Sequence, residues 1–352
     1  MVKARLTKAR TVGFLPAVFA ILFAVSCAAK TPKIDTPQSV ASLEEVELGG
    51  VEQWVLLRGA DADNPVLLFL HGGPGSPEMP TNHEFGGWLE ESFVLVHWDQ
   101  RGAGKSFSAS VPSESMNVEN FISDAIELTD YLRRRFSEDR IYIAGHSWGS
   151  LLGSLTVSRR PELYHAYVGI GQAVDLKRNE EISYEYVVNE ARERNDRLGK
   201  MQLEAIGPPP YDSLNELVVQ RTYLRKYGGA THDPDNYNRF IRASLSAPEY
   251  TALDLVRYQL GTFYSIRYMW DEVLTYNLIE QVPRIEVPVY FMHGRHDYNT
   301  PWELVKEYYR KLEAPAGKSL VWFESSAHSP NLEEPEKFAE CMADVVEETY
   351  KK

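Results

Sequence analysis

The chain has 352 residues, of which 43% are hydrophobic and 25% are charged, an ordinary balance for a globular protein. Its length allows one large domain or a core that carries an inserted domain. A formal net charge of −13 argues against nucleic acid or an anionic membrane surface as a partner. The acidity favours solubility, and attraction of cationic substrates is the alternative interpretation.

The first 27 residues have the pattern of an export signal. Basic residues between Lys3 and Arg10 precede an apolar stretch over 12–25, which is too short for a membrane span of about 20 residues. The stretch ends in Ala24-Val25-Ser26-Cys27, which resembles a bacterial lipobox, although leucine is usual where Ala24 stands. We therefore expect an exported, cell-envelope lipoprotein that is anchored only through lipidated Cys27. Plain secretion and an uncleaved anchor are the alternatives.

Prolines and small polar residues over 28–43 are typical of a tether. Beyond it, 44–172 predicts the first part of a core in which strands alternate with helices, beginning with a hairpin around Gly49 and Gly50. Continuous apolar runs in this part are typical of strands that are buried on both faces. After the hairpin, the apolar runs lie at 66–70, 93–96, 141–144 and 166–170, and helical spacing covers 118–136.

Residues 173–283 differ in composition from the preceding part of the chain: they are rich in charged residues and tyrosine and contain no apolar strand pattern. We expect them to form an inserted helical cap. The strand pattern resumes over 284–352, which predicts the second part of the core. The fold class is therefore α/β, with a mostly parallel, doubly wound sheet. Cys341 in the last predicted helix has no partner for an internal disulfide once Cys27 is set aside, and is expected to pack in the core.

Residues 145–149 read Gly-His-Ser-Trp-Gly between a predicted strand and a predicted helix, the context of a nucleophile elbow. Such a nucleophile needs a histidine base and an acid that orients the base. Asp297 and His328 each follow a late predicted strand, in the chain order of an α/β hydrolase. We therefore predict Ser147, Asp297 and His328 as a catalytic triad. His296 is the competing base, and Asp271 or Asp99 could replace Asp297.

The glycine-rich turn over 71–75 follows a predicted strand and exposes backbone N–H groups. The N–H of Gly73 can pair with that of Trp148 to form an oxyanion hole.

Residues 98–106 resemble the end of a phosphate-binding loop, but Asp99 stands where the first glycine is required, which excludes nucleotide binding. We expect Asp99 and Arg101 to brace the turn at His71. No sequence motif indicates a metal site, and no cofactor is expected.

These motifs together resemble the proline iminopeptidase family of α/β hydrolases, whose members release N-terminal residues from short peptides. The resemblance covers about 65–172 and 284–352. It implies an α/β-hydrolase core with a cap and a small peptide substrate. The motifs that carry it are HGGPG at 71–75, WDQRGAGKS at 98–106, GHSWGS at 145–150, Gly294 to Asp297 and His328.

The cap departs from this family. Its members carry a Trp-Ser-x-Trp-Glu type motif, whose glutamate helps to bind the substrate amine, and this chain has only a faint echo in Trp270-Asp271-Glu272. Glu185 and Glu272 are candidates to bind an amine, and Trp270 is a candidate to line an apolar pocket. The other acidic candidates in the cap are Glu181, Glu190 and Asp271.

Three functions remain open on the sequence. The first is an aminopeptidase that releases N-terminal residues, proline or other apolar ones, from short peptides through an acyl-enzyme on Ser147. The second is a carboxylic ester, lactone or amide hydrolase on the same core. The third is a binding lipoprotein that has kept the fold without the chemistry, which the complete set of triad residues argues against. The sequence does not indicate an oligomeric state.

Overall fold

A computed structural model describes residues 29–350. Eight strands form one sheet in the order β1-β2-β4-β3-β5-β6-β7-β8. β1 and β2 are antiparallel to each other, β2 is antiparallel to β4, and all the other neighbours are parallel. The strands are β1 (Val40–Leu48), β2 (Val51–Gly59), β3 (Val66–Leu70), β4 (Val94–Asp99), β5 (Ile141–His146), β6 (Tyr164–Ile170), β7 (Val289–Gly294) and β8 (Lys318–Phe323).

Helices cover both faces of this sheet and fill the interval between β6 and β7. The helices of the core are α1 (Asn82–Phe85), α2 (Gly87–Ser92), α3 (Val118–Phe136), α4 (Trp148–Arg159), α11 (Trp302–Lys311), α12 (Pro330–Glu333) and α13 (Pro335–Thr349). Those of the cap are α5 (Leu176–Glu193), α6 (Arg197–Ile206), α7 (Leu214–Lys226), α8 (Pro234–Leu245), α9 (Ala252–Val273) and α10 (Leu278–Gln281). Single 3₁₀ turns occur at Met79–Thr81, Gly104–Ser106, Ser113–Ser115 and Pro161–Leu163.

The central strands are buried on both faces, as their continuous apolar sequences predict. In β3, Leu68 and Leu70 pack on the side of the sheet that α3 and α4 cover, whereas Leu67 and Phe69 pack on the side of α2 and α13. This alternation follows from the two-residue period of a strand. The predicted fold class, an α/β hydrolase with a mostly parallel sheet, is confirmed.

The cap closes on itself beside the carboxyl end of the sheet. Asp175 and Asn277 form a bridge between its two ends. Its own small core is built around Val187, Leu203 and Leu224, which come from three successive helices. From 173 to 283 the structure contains helices and turns but no strand of the sheet.

The amino-terminal part of the described chain differs from the predicted tether over 28–43. β1 already begins at Val40, because the whole segment from Val40 to Leu48 pairs with β2 across the turn at Gly49 and Gly50. Pro32, which lies upstream of β1, accepts a hydrogen bond at its carbonyl oxygen from Arg58 of β2 at 2.7 Å. The tether boundary at residue 43 was therefore placed too late.

The predicted signal and the lipidation residue Cys27 lie outside the described residues. Cys341 is half-buried on α13 and packs against the core. Among the helices from residue 29 to residue 350, none combines the length and the apolar character needed to cross a bilayer.

Candidate active site

Ser147 stands at a sharp turn between β5 and α4. Its backbone has φ 56° and ψ −121°, a conformation that residues other than glycine rarely adopt. The neighbouring glycines make this turn possible, because a Cβ at Gly145 would overlap the carbonyl oxygen of Gly149, and a Cβ at Gly149 would overlap that of Leu70. The turn holds Ser147 at the carboxyl edge of the sheet, where active sites of open α/β folds lie.

Asp297 and His328 occupy the loops after β7 and β8. His328 Nδ1 lies 2.9 Å from Asp297 Oδ2. Asp297 is fully buried, and its other oxygen accepts the backbone N–H groups of Asn299 and Thr300 at 2.8 and 2.9 Å. His328 lines the same cavity as Ser147. The structure thus brings the three predicted residues to one site.

The alternatives that the sequence left open lie elsewhere. The ring of His296 stacks on that of His232, with 3.8 Å between the ring centroids. Asp271 is exposed on α9. Asp99 accepts hydrogen bonds from the hydroxyl of Tyr250 and from the N–H of Lys105. Within the described chain, neither Asp99 nor Asp271 hydrogen-bonds to His328, and the ring of His296 does not hydrogen-bond to Asp297.

The electrostatics of the pair suit a histidine base. Burial lowers the pKa of His328, and the attraction of Asp297 offsets only part of this effect, so the pKa lies below its ordinary value of 6.5. Burial opposes ionisation of Asp297, but the charge of His328 and the hydrogen bond from it hold the pKa of this carboxyl below its ordinary value. At neutral pH a neutral imidazole therefore donates from Nδ1 to a carboxylate, which leaves Nε2 free to accept a proton.

Gly73 and Trp148, the residues predicted to form an oxyanion hole, both lie beside Ser147. Gly73 has φ +117°, and a Cβ at this position would lie 2.5 Å from the backbone nitrogen of Gly75, so only glycine fits. Trp148 is the first residue of α4, and the N–H groups of a first helical turn have no acceptor inside the helix. Both residues line one cavity together with Ser147.

The brace of the His71 turn is Gln100, and not Asp99 or Arg101 as predicted. The backbone N–H of Gln100 donates to His71 Nε2, and its side-chain amide donates to the carbonyl oxygen of His71, both at 3.2 Å. Gln100 also accepts the indole N–H of Trp148 at 2.9 Å. Arg101 instead pairs with Asp124 at 2.8 Å. Gln100 therefore ties together the two sides of the predicted oxyanion hole.

Two cavities meet at Ser147 and share Gly73, Ser76, Ser147 and Asn299. The first cavity has about 280 Å³ and contains His328. The second cavity has about 400 Å³ and contains Trp148. Other residues of the first cavity include Glu78, His146, Tyr237, Phe240, Tyr258, Leu332 and Glu333. Other residues of the second include Leu151, Leu176, Asn179, Glu180, Leu217, Arg221, Arg225, Phe263 and Trp270.

The predicted cap residues have different positions. Trp270 lines the second cavity, as expected for a pocket residue. Glu185 is exposed on α5 and is absent from the lining of both cavities. Glu272 accepts the backbone N–H of Val118 at 3.1 Å and so caps the start of α3. Both glutamate assignments are therefore wrong for this structure, because neither carboxylate reaches the site.

Sequence reasoning missed the acidic residues that do reach the site. Glu78 and Glu333 line the first cavity, and Glu180 lines the second. Glu333 accepts the backbone N–H of Ala327 at 2.9 Å and that of His232 at 2.7 Å. Burial raises the pKa of Glu333 to about 7. A signal that could have found Glu78 is its position just after the HGGPG turn; for Glu180 no local signal exists.

Comparisons with known proteins agree with this geometry. Residues 65–335 match the family model described as the alpha/beta hydrolase fold. The probable aminopeptidase YbaC of Bacillus subtilis (strain 168) is 35% identical over 311 residues, which cover 88% of this chain and 98% of that protein. The proline iminopeptidase of Heyndrickxia coagulans is 25% identical over 292 residues, which cover 80% and 89%.

A solved structure shares the fold. The proline iminopeptidase-related protein TTHA1809 from Thermus thermophilus superimposes with a TM-score of 0.63 at 17% sequence identity. The match covers 88% of this chain and 98% of that chain. The likeness extends over the cap as well as the core, because it spans nearly the whole described chain.

Proposed function

The chain belongs to the α/β-hydrolase family, and on this premise we propose that it is a serine aminopeptidase that releases N-terminal residues from short peptides. Its relatives include a probable aminopeptidase and proline iminopeptidases. The serine mechanism needs no cofactor, since every group that it uses is a protein side chain or backbone N–H.

In the proposed reaction, Ser147 Oγ attacks the carbonyl carbon of the first peptide bond while His328 Nε2 takes the hydroxyl proton. The N–H groups of Gly73 and Trp148 stabilise the negative oxygen of the tetrahedral intermediate. His328 then gives its proton to the leaving amine as the C–N bond breaks, which leaves an acyl-enzyme. Water, deprotonated by His328, hydrolyses this ester and restores Ser147. Asp297 stabilises the imidazolium in both steps.

The two cavities bind different parts of the substrate. The leaving amine must lie beside His328, which protonates it, so the first cavity takes the leaving peptide. The carbonyl oxygen must lie beside Trp148, so the second cavity takes the N-terminal residue. Leu151, Leu217 and Trp270 line the second cavity and suit an apolar side chain.

The observation that carries the aminopeptidase proposal is a pair of unsatisfied acceptors on two residues that line the second cavity. Glu180 Oε2 and Asn179 Oδ1 are buried and have no hydrogen-bond partner among the described residues. The other carboxylate oxygen of Glu180 pairs with Arg221. The amide nitrogen of Asn179 donates to the carbonyl oxygen of Asn299 at 2.7 Å, which fixes the orientation of the amide.

Leaving such acceptors unpaired costs about 1–3 kcal/mol each. A substrate ammonium carries three N–H donors and would satisfy both oxygens, whereas an ester or lactone without an amine would satisfy neither. Glu78 is a weaker candidate for this role, because His146 and Asn331 already donate to its two oxygens. We therefore assign the ammonium to Asn179 and Glu180.

A substrate panel tests the proposal. We expect hydrolysis of alanyl, prolyl or phenylalanyl naphthylamides, and little hydrolysis of the same compounds with an acetylated amine. Turnover of p-nitrophenyl esters without release from any unblocked aminoacyl amide would instead support the ester hydrolase. Loss of fluorophosphonate labelling in Ser147→Ala identifies the nucleophile, and labelling that persists would contradict the assignment of Ser147.

The cellular location is a separate proposal that is supported by the sequence alone. We propose that the chain is exported and lipidated at Cys27, on the strength of the basic segment, the apolar stretch and the lipobox-like residues before Cys27. Stable anchoring takes more than one acyl chain. Incorporation of labelled palmitate that is lost in Cys27→Ser would support the anchor, and absence of label in the wild type would favour plain secretion.

A further inference from the structure

Three segments of the active site meet at His146, the residue before the proposed nucleophile. His146 Nδ1 lies 2.7 Å from Glu78 Oε1, which follows the HGGPG turn. His146 Nε2 lies 3.0 Å from the carbonyl oxygen of His328 and 3.3 Å from the hydroxyl of Ser329. The second oxygen of Glu78 accepts the amide of Asn331 at 3.3 Å. These contacts tie the oxyanion turn, the nucleophile turn and the histidine loop together.

The hydrogen bonds define the charge of His146. Both ring nitrogens face acceptors, the carboxylate of Glu78 and the carbonyl oxygen of His328, so both must carry a proton. Burial disfavours the charged ring, but the charge of Glu78 and the bonds to Glu78 and His328 outweigh it and raise the pKa of His146. Burial likewise opposes ionisation of Glu78, but His146 lowers the pKa of this carboxyl. The two side chains form a buried ion pair.

We propose that the Glu78–His146 ion pair is a positioning device for His328. His146 holds the backbone of His328 and packs against its ring, with 4.7 Å between the ring centroids. Because Glu78 balances the charge of His146, the pair can hold His328 closely without repelling the imidazolium that forms on it. This inference rests on the proposed role of His328 as base, but not on the choice of peptide substrates.

The ionisable groups near Glu78 and His146 determine how loss of this ion pair would change the pKa of His328. His71 and His97 approach Glu78, and burial lowers the pKa of both to about 4, so both are neutral at pH 7. The charge of Asp297 also raises the pKa of His146, and Asp297 is unchanged in every variant below. The titratable groups around the pair are His71, His97, Tyr258, His293, Asp297 and His328.

Removal of one partner leaves the charge of the other uncompensated. In His146→Gln the lone carboxylate of Glu78 remains near His328 and favours its protonation. In Glu78→Gln a protonated His146 would disfavour it. The acid limb of kcat/KM should therefore move to higher pH in His146→Gln, by about half a unit or more, and to lower pH or not at all in Glu78→Gln.

The experiment measures pH profiles of kcat/KM and rates of fluorophosphonate labelling for Glu78→Gln, His146→Gln and the double variant. We expect each single variant to lower kcat at pH 7 by about 10- to 100-fold, since displaced catalytic groups cost rates of this order. The double variant should lose less than the product of the single losses. Glu90→Gln is the matched control, because Glu90 forms a buried ion pair with Arg58 at 2.7 Å and does not line either cavity.

Identical acid limbs in the wild type and both single variants, with kcat unchanged, would overturn the inference. Melting temperatures of all the variants reveal a folding defect. A folding defect alone does not shift the acid limb of the pH profile, whereas loss of the ion pair does. Labelling also separates this inference from the proposed function. If His328→Ala labels normally, the serine mechanism fails; if His328→Ala does not label and Glu78→Gln labels as the wild type does, only the positioning role fails.

Discussion

Lys105 Nζ lies 2.9 Å from Asp254 Oδ2, and both side chains are buried. Lys105 belongs to the core segment after β4, and Asp254 lies in the first turn of the cap helix α9. The ammonium group also lies 4.5 Å from the ring centroid of Trp54. This ion pair is a direct tie between core and cap, and so it helps to fix the walls of the cavities at Ser147.

Lys105→Met should lower the free energy of unfolding by about 3 kcal/mol, because it leaves the charge of Asp254 without its core partner. Denaturant unfolding followed by fluorescence measures this loss. The double variant Lys105→Met with Asp254→Leu should recover part of it. Lys200→Met is the control, since Lys200 forms an exposed pair with Glu204 at 3.8 Å, and should change stability by less than about 1 kcal/mol. Equal losses for Lys105 and Lys200 would contradict the argument.

Asp297→Asn should lower kcat by about 10³- to 10⁴-fold, the effect of disturbing the tautomer and charge of a catalytic histidine. Asn at this position can no longer stabilise an imidazolium on His328, although it fills the same space. Steady-state hydrolysis of an aminoacyl naphthylamide measures the loss. The matched control is Asp271→Asn, an exposed cap residue that should leave kcat unchanged. A loss in Asp297→Asn no greater than that in the control would refute the assignment of the acid.

The activity should rise with pH through a midpoint below 6.5, the ordinary pKa of histidine. His328 must be neutral to accept the proton of Ser147, and burial, only partly offset by Asp297, holds the pKa of His328 below that value. The active form is thus lost as pH falls through this pKa and predominates at pH 7. A profile of kcat/KM between about pH 4.5 and 8 reports the free enzyme. A midpoint above 7 would be incompatible with the buried, neutral base.

Gln100→Ala should lower kcat about 10-fold with a smaller change in KM, since Gln100 orients both sides of the proposed oxyanion hole. The chain offers a close control in Gln53, which is also buried and accepts the indole N–H of Trp98 at 2.9 Å. Within the described residues, Gln53 has no hydrogen bond to His71 or Trp148. Gln53→Ala should cost stability and leave kcat nearly unchanged. If both variants lower kcat equally, loss of packing rather than of the brace is the cause.

The sequence was sufficient for those parts of the site that local chain geometry encodes. The strained turn at Ser147 needs glycines at fixed offsets, and Asp297 and His328 each follow a strand, so pattern and order predicted all three positions. The brace on His71 was assigned to the wrong residues because Asp99 and Arg101 look more reactive than Gln100. Which of them faces the turn depends on how β4 leaves the sheet.

The cap carboxylates that reach the site could not be predicted from the sequence for a different reason. Glu180 is buried because Arg221, 41 positions later, pairs with it, and no periodicity within α5 marks that contact. Glu185 carries the same charge on the same helix but stays in solvent. The predicted tether fails similarly, because the polar edge strand β1 is recognisable only through its pairing with β2.

Glu180→Gln should raise KM for unblocked aminoacyl naphthylamides by about 10- to 100-fold, with a smaller effect on kcat. Gln lacks the charge that attracts an ammonium, and loss of one charged hydrogen bond costs about 1.5–3 kcal/mol. Hydrolysis of p-nitrophenyl acetate, which carries no amine, should stay within about twofold of the wild type, because a group that binds only the amine does nothing for this ester.

Glu181→Gln is the control for this last variant, since Glu181 is the adjacent residue of α5 and is exposed. Its KM should not change for either class of substrate. Should Glu180→Gln slow amides and esters equally, Glu180 would be a structural partner of Arg221 and not the amine anchor. The ratio of the two activities therefore decides the role, because loss of the Arg221 contact alone would reduce both together.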